Sequence, residues 1–221
     1  MAYNWNMEKR DWVAVLAELA ESERVLTTAQ AARLGVPRDA LHDAYESGRL
    51  ERVAHGAYRL VGSGTSEVDE LLALWKLTAP AKFTHERIPE WDGVCVGGTS
   101  AAYLDGMGDF YLSPYRMFSR RRINSRRPGV RFGVRRIDRD DVSFDRGFPV
   151  TRPERTIVDL VLDREDPSLV AGALKDAAHA SAGVNCSRLR DLLCSEVGER
   201  KGADLCDTLQ AEAGLDDGSC Q

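Results

Sequence analysis

The chain has 221 residues, 43% hydrophobic and 29% charged, with a formal net charge of −5. That length fits one large or two small domains, and the composition is that of a packed globular protein. No apolar run approaches the roughly 18 residues of a membrane span, and Met1–Trp12 has no signal-peptide apolar stretch, so a cytoplasmic protein with no membrane contact is expected.

The first helix is predicted over Met7–Ser22, where Trp12, Val13, Leu16, Leu19 and Ala20 recur at helical spacing. Thr27 and Thr28 offer N-cap hydroxyls for a second helix, Ala29–Leu34, which Gly35 stops. Pro37 suits the first position of a third helix, Pro37–Ser47, which Gly48 ends. Leu50–Ala54 and Ala57–Val61 then read as a hairpin around His55–Gly56. Three helices and a hairpin at this spacing form a winged helix-turn-helix, with Pro37–Ser47 as its recognition helix.

On that helix Leu41, Ala44 and Tyr45 form the inner face, while Asp39, His42, Asp43 and Glu46 face outward and Arg38 lies at the N-terminal end. The wing carries Arg49, Arg52, His55 and Arg59, as phosphate contacts require. The candidate DNA contacts of this unit are therefore Thr27, Thr28, Arg38, His42, Arg49, Arg52, His55 and Arg59. The outward face is nearly neutral, and the competing reading is a three-helix unit that packs on protein.

Gly62–Ser66 reads as a flexible linker, dividing a DNA-binding domain (1–62) from a second domain (67–221). The second domain opens with a helix over Ser66–Thr78, carrying Val68, Leu71, Leu72 and Trp75 on one face. Ala79–Gly93 is read as irregular because it holds Pro80, Pro89 and Gly93. It includes Thr84-His85-Glu86, read as a surface loop with a metal or base pair as the alternative. Val94–Val96 is a short strand, and Thr99 or Ser100 caps a helix to Leu104. Tyr115–Ser119, Val130–Ile137 and Asp141–Phe144 read as strands and Pro149–Thr151 as extended, with Thr151 or a neighbour capping a helix over Pro153–Leu162. Helices over Ser168–Ser181, Ser187–Cys194 and Leu205–Glu212 complete the chain. The fold class is α+β: a winged helix-turn-helix, then a mixed α/β domain with a helical C-terminus.

Charge is unevenly spread. Residues 116–139 hold ten Arg, no Lys and one acid, Asp138, giving +9 against −14 for the rest. Such a block can bind phosphate whatever the overall charge, and arginine favours bidentate contact. Arg120, Arg121, Arg122, Arg126 and Arg127 are its candidate nucleic-acid contacts. The alternative is an arginine-faced pair of strands neutralised by the acidic remainder.

Other constellations are poorer in chemistry. The five cysteines, at 95, 186, 194, 206 and 220, are odd in number and lack CxxC spacing, so they read as reduced thiols rather than a zinc site. Gly97-Gly98-Thr99-Ser100 lacks the ending of a P-loop. A glycine pair followed by an Asp-x-Asp is the pattern of nucleotidyltransferases, but here only Asp109-Phe110-Tyr111 follows, one carboxylate short of a two-metal site. No cofactor, metal or catalytic residue is expected.

Two blocks resemble a known family. Leu26-Thr27-Thr28-x-Gln30-Ala31, Leu34-Gly35-Val36, Leu41, Gly48-x-Leu50-x-Arg52-Val53 and Gly56-x-Tyr58-Arg59 are similar to the N-terminal domain of AbiEi-type antitoxins of type IV toxin–antitoxin systems. The second domain of that family resembles Thr99-Ser100-Ala101-Ala102-x-Leu104-x-Gly106-x-Gly108-Asp109, the arginine-rich strands, and Gly147-x-Pro149-Val150-Thr151-x-Pro153-x-Arg155-Thr156-Ile157-x-Asp159-Leu160. Residues 195–221 match loosely. The resemblance implies a winged helix that binds inverted repeats in double-stranded DNA of its own promoter and represses the operon. It also implies a second domain that counters a nucleotidyltransferase-type toxin. A stand-alone winged-helix regulator and a nucleotidyltransferase-like enzyme are the alternatives.

Overall fold

The computed structural model describes residues 11–125, 127, 129–181 and 183–215. The chain divides into two units, Met1–Pro89 and Glu90–Gln221. The fold class is α+β, as expected.

In the first unit α1 spans Trp12–Glu23. The Asp11 carboxylate caps it, accepting from the N–H groups of Val13 (3.0 Å) and Ala14 (3.3 Å). The part of the expected helix before Asp11 lies outside the described residues. Leu26–Thr27 forms β1, a two-residue strand too short for periodicity to announce. Helix α2, Thr28–Arg33, begins with a capping box. Thr27 Oγ1 accepts from Gln30 N (3.0 Å), and Gln30 Oε1 accepts from Thr27 N (2.9 Å). Gly35 follows with φ 82°, and α3 spans Arg38–Glu46, with Pro37 as its cap. Strands β2 (Leu50–Ala54) and β3 (Ala57–Leu60) pair antiparallel, and β1 joins the outer side of β3. Leu16, Leu19, Leu26, Ala31, Val36, Leu41 and Leu50 close the core.

Two more helices belong to this unit. Helix α4 spans Asp69–Leu77, so the helix expected to open the second domain lies in the first unit. The stretch expected to be irregular holds α5, Thr84–Glu90, with Pro89 inside it. Pro89 forfeits its own N–H bond, but the turn before it is held by Glu86 N and Arg87 N on the Phe83 carbonyl (3.2 and 3.0 Å). The charged ends of α4 explain where the helix packs. Asp69 accepts from Arg24 Nε (2.7 Å) and Arg59 Nη1 (2.7 Å). Lys76 bonds to Glu23 and donates to Thr84 Oγ1 (3.0 Å). The Gly62–Ser66 stretch is thus a connection within the first unit, and the division by contacts falls later, at Pro89.

The second unit is built on a five-stranded mixed sheet, with β4 (Cys95–Val96), β5 (Tyr115–Ser119), β6 (Val130–Val134), β7 (Val142–Ser143) and β8 (Val150–Thr151). The order is β6-β5-β4-β8-β7. Strands β5 and β6 run parallel, with Met117 opposite Phe132 and Phe118 opposite Gly133. The arginine-rich loop 120–129 is therefore the crossover between parallel neighbours. Helices α6 (Gly98–Leu104), α7 (Pro153–Asp163), α8 (Pro167–His179), α9 (Cys186–Val197) and α10 (Glu199–Ala213) complete the unit. A core of Met107, Ile157, Leu160, Leu174, Leu189 and Leu193 joins α6 to α10.

Several expected caps are replaced. Gly97 occupies the N-cap of α6. Ser100 Oγ instead donates to the Leu112 carbonyl (2.8 Å) and accepts from Arg116 N (2.8 Å). No side chain caps α7, and Thr151 is buried against Thr156, their hydroxyls 2.7 Å apart. Helix α10 begins six residues earlier than expected, at Glu199, because its first turns carry almost no apolar stripe. Cys95, Cys194 and Cys206 are free thiols, whereas Cys186 is disulfide-bonded, which corrects the expectation of reduced thiols throughout.

Candidate nucleic-acid interface

The first unit exposes polar side chains on α3 and on the wing. Leu41 and Ala44 are buried, which turns Arg38 and His42, four residues apart, outward together. The Arg52 guanidinium lies 4.8 Å from the ring centroid of Tyr45 on α3 and 5.7 Å from that of Tyr58 on β3. That stacking ties the hairpin to α3 and leaves Arg52 exposed. Arg49 and His55 are exposed as well, and Thr28 is half-buried.

Two expected members leave this surface. Thr27 is fully buried, its hydroxyl accepting in the capping box and donating to the Pro80 carbonyl. Arg59 is buried, bridging Glu51 and Asp69 and donating to the Gly64 carbonyl (2.9 Å). Arg59 alternates with Arg52 in character because β3 turns it toward α4, where Asp69 waits. Sequence periodicity could not supply that partner.

The arginine-rich segment of the second unit sorts into two sets. Arg116 and Arg135 face inward. Arg116 forks onto Asp163 (2.7 and 2.8 Å). Arg135 bridges Asp159 Oδ1 (2.8 Å) and Asp163 Oδ1 (2.9 Å). Both guanidiniums lie over the Phe118 ring, at 4.7 and 4.2 Å. Arg155 adds a third cation, donating to Asp159 Oδ1 (2.9 Å) and Glu196 Oε1 (2.6 Å). For these residues the neutralised-strand reading holds. Their acids, Asp159 and Asp163, come from α7 and were absent from the expected site. The i,i+4 spacing of Arg155 and Asp159 is the signal that sequence carried.

Arg120, Arg121 and Arg122 face solvent, and Arg127 is half-buried. Among the described residues Arg122 donates to Asn124 Oδ1 (3.1 Å). Arg120 and Arg121 form no ion pair among the described residues. Arg126 lies outside them. Exposed cations thus stand on the crossover loop, and Arg131 on β6 and Arg136 and Arg139 beyond it are exposed as well.

The glycine pair serves this ion cluster. A methyl group on Gly97 would fall 2.5 Å from the Phe118 ring and 3.0 Å from Asp159 Oδ2. Glycine is required there for close approach, and the turn is closed over the cluster instead of opening as a phosphate cradle. Asp159 Oδ2 is buried without a hydrogen-bond partner among the described residues. Burial pushes the Asp159 carboxyl up to about 6, against the lowering by Arg155 and Arg135. An acid raised on folding binds its proton more tightly in the folded chain, so its unfavourable charge appears as pH rises from about 4 to 6. We expect Asp159→Asn to lose this dependence. Urea unfolding at pH 4.5 and 7 should show the wild type gaining on the variant at the lower pH. A constant difference between the two would rule out the raised carboxyl.

Thr84, His85 and Glu86 lie on α5, so the loop reading is corrected. Glu86 accepts two bonds from Arg33 (2.7 and 2.9 Å) and one from Phe83 N (2.9 Å). Arg33 first, then Phe83, holds its carboxyl down at about 2. Among the described residues no cluster of three His, Cys, Asp or Glu could hold a metal ion. No helix among them is long and apolar enough to cross a membrane.

No curated protein is significantly similar to the chain. The fold is similar to the crystal structure of the RV2827C protein from Mycobacterium tuberculosis, at a TM-score of 0.56 and 17% identity. That likeness covers 92% of this chain and 78% of the other, and at this identity it speaks for the fold alone. Residues 14–61 match the family described as transcriptional regulator, AbiEi antitoxin. These residues span α1 to the end of the wing, and over them the chain is similar to the AbiEi-antitoxin transcriptional regulators, as its sequence led us to expect.

Proposed function

We propose that this chain is a cytoplasmic DNA-binding antitoxin of a type IV toxin–antitoxin system. In this reading it represses its own operon by binding inverted repeats, and it counters a toxin of nucleotidyltransferase type. The observation that carries the reading is the exposure of Arg38, His42, Arg49 and Arg52, with Arg52 stacked on Tyr45 of α3, on a unit similar to AbiEi regulators. Asp39, Asp43 and Glu46 share the exposed face of α3. Base readout therefore falls to Arg38 and His42, and phosphate contact to the wing and to Arg120, Arg121, Arg122, Arg126 and Arg127. The antitoxin role is assigned to the unit Glu90–Gln221. No residue is assigned a catalytic role.

The test compares variants on the promoter repeat and on scrambled DNA. Arg38→Ala should cost roughly 1–3 kcal/mol on the repeat alone, because a base-edge contact discriminates by that amount. Arg52→Ala should weaken both complexes alike, since a phosphate contact carries no sequence information. If Arg38→Ala lowers both affinities by the same factor as Arg52→Ala, α3 does not read bases. Co-expression with the product of a neighbouring toxin gene tests the second half: growth should be restored by this chain, and unrestored growth would leave a regulator without antitoxin activity.

A further inference from the structure

The unit Glu90–Gln221 holds a cavity of about 520 Å³. Small-molecule sites run to roughly 300–1,000 Å³. The floor is apolar and buried, formed by Met107 after α6, Val150 on β8 and Ala177 on α8. The rim is polar and carries Arg146 and Arg152, both exposed, together with the carboxylates Asp105 and Asp145.

The two arginines differ in what is left over. Arg146 donates to the Leu104 carbonyl (2.6 Å) and to Asp105 Oδ1 (3.0 Å). Arg152 donates Nε to the Asp140 carbonyl (3.1 Å) and has no carboxylate partner among the described residues. An unpaired cation thus stands at the mouth of an apolar chamber. The N-terminus of α7 opens at the same rim, where Pro153 lines the cavity and no side chain caps the helix. Its partial positive charge favours an anion at that point. Burial also pushes the Asp105 carboxyl upward despite Arg146, a perturbation of the kind that ligand cavities carry.

We propose that this cavity binds a small organic monoanion, with its apolar body on the Met107–Val150–Ala177 floor and its acid head on Arg152. The inference goes beyond the DNA-binding reading and does not rest on it. The whole chain is titrated with 8-anilinonaphthalene-1-sulfonate, an apolar body with one acid group, and read by fluorescence. Saturable binding at one dye per chain is expected. Octanoate should displace the dye at least about tenfold better than octanol, the margin of a charge-assisted hydrogen bond. Arg152→Gln should erase that preference. Ala180→Trp, a substitution in the cavity wall, should abolish dye binding.

Because this dye also binds loosened cores, the urea unfolding midpoint and slope must be unchanged in each variant. If Ala180→Trp lowers that midpoint, the octanoate-to-octanol ratio of Arg152→Gln decides alone. The proposal is overturned by the absence of saturable dye binding, by dye binding that a well-folded Ala180→Trp retains, or by equal displacement with octanol and octanoate.

Discussion

Lys76→Met should destabilise the first unit by about 3–5 kcal/mol, the usual cost of removing one partner from a buried ion pair. The side chains of Lys76 and Glu23 are 2% and 3% exposed. Glu23 accepts from Lys76, Gln30 Nε2 (3.1 Å), Thr84 N (3.1 Å) and Thr84 Oγ1 (2.6 Å). Burial pushes its carboxyl upward, but Lys76 and Thr84 outweigh that and hold it below the usual range. Burial pushes the Lys76 amine downward against the pull of Glu23. With Lys76 gone, Glu23 is an uncompensated buried charge that takes up a proton as pH falls. The deficit should therefore be largest at neutral pH and shrink toward pH 5. Glu23→Leu combined with Lys76→Met should recover much of the loss, since an apolar pair of similar volume is often neutral. Urea midpoints at constant slope measure all three variants. A single-variant loss under about 1 kcal/mol would place the pair among those that solvent screens. The stake is large because whole domains are stable by only about 5–15 kcal/mol. The same pair links α1, α4 and α5.

Converting Arg120, Arg121, Arg122, Arg126 and Arg127 together to Gln should flatten the salt dependence of DNA binding. Each phosphate contact contributes about 0.9 to the log–log slope, so five contacts would account for about 4.5. At 0.1–0.2 M salt the affinity for promoter and scrambled DNA should fall together, because phosphates carry no sequence information. Arg116→Gln and Arg135→Gln provide the contrast. Their guanidiniums are engaged with Asp159 and Asp163 over Phe118. Those variants should lower the unfolding midpoint and leave the salt slope unchanged. An unaltered slope and affinity in the loop variant would assign the loop to a protein surface or to solvent. A flattened slope in Arg116→Gln would mean that the ion cluster opens on binding.

The sequence by itself determined the first three helices, the hairpin and most of the strands. The signals there are local: a capping hydroxyl at Thr27, glycines at 35, 48 and 56, and apolar spacing along Leu16–Ala20. Each acts within a few residues, so no distant partner is needed to read it. The family resemblance over residues 14–61 was legible for the same reason. Tertiary structure alone decided which polar residues remain available. Arg52 and Arg59 look alike in the wing, yet one stacks in solvent on Tyr45 and the other is bound by Asp69, ten residues farther on. Arg116 and Arg120 stand in one basic run, yet the first is neutralised by an acid 47 residues away. Periodicity says which way a side chain points, and only packing says what it meets there. That is also why the unit boundary falls at Pro89 and not at the glycine–serine stretch: Asp69 and Lys76 find their partners on Arg24, Arg59 and Glu23. A buried charge must lie where its counter-charge is.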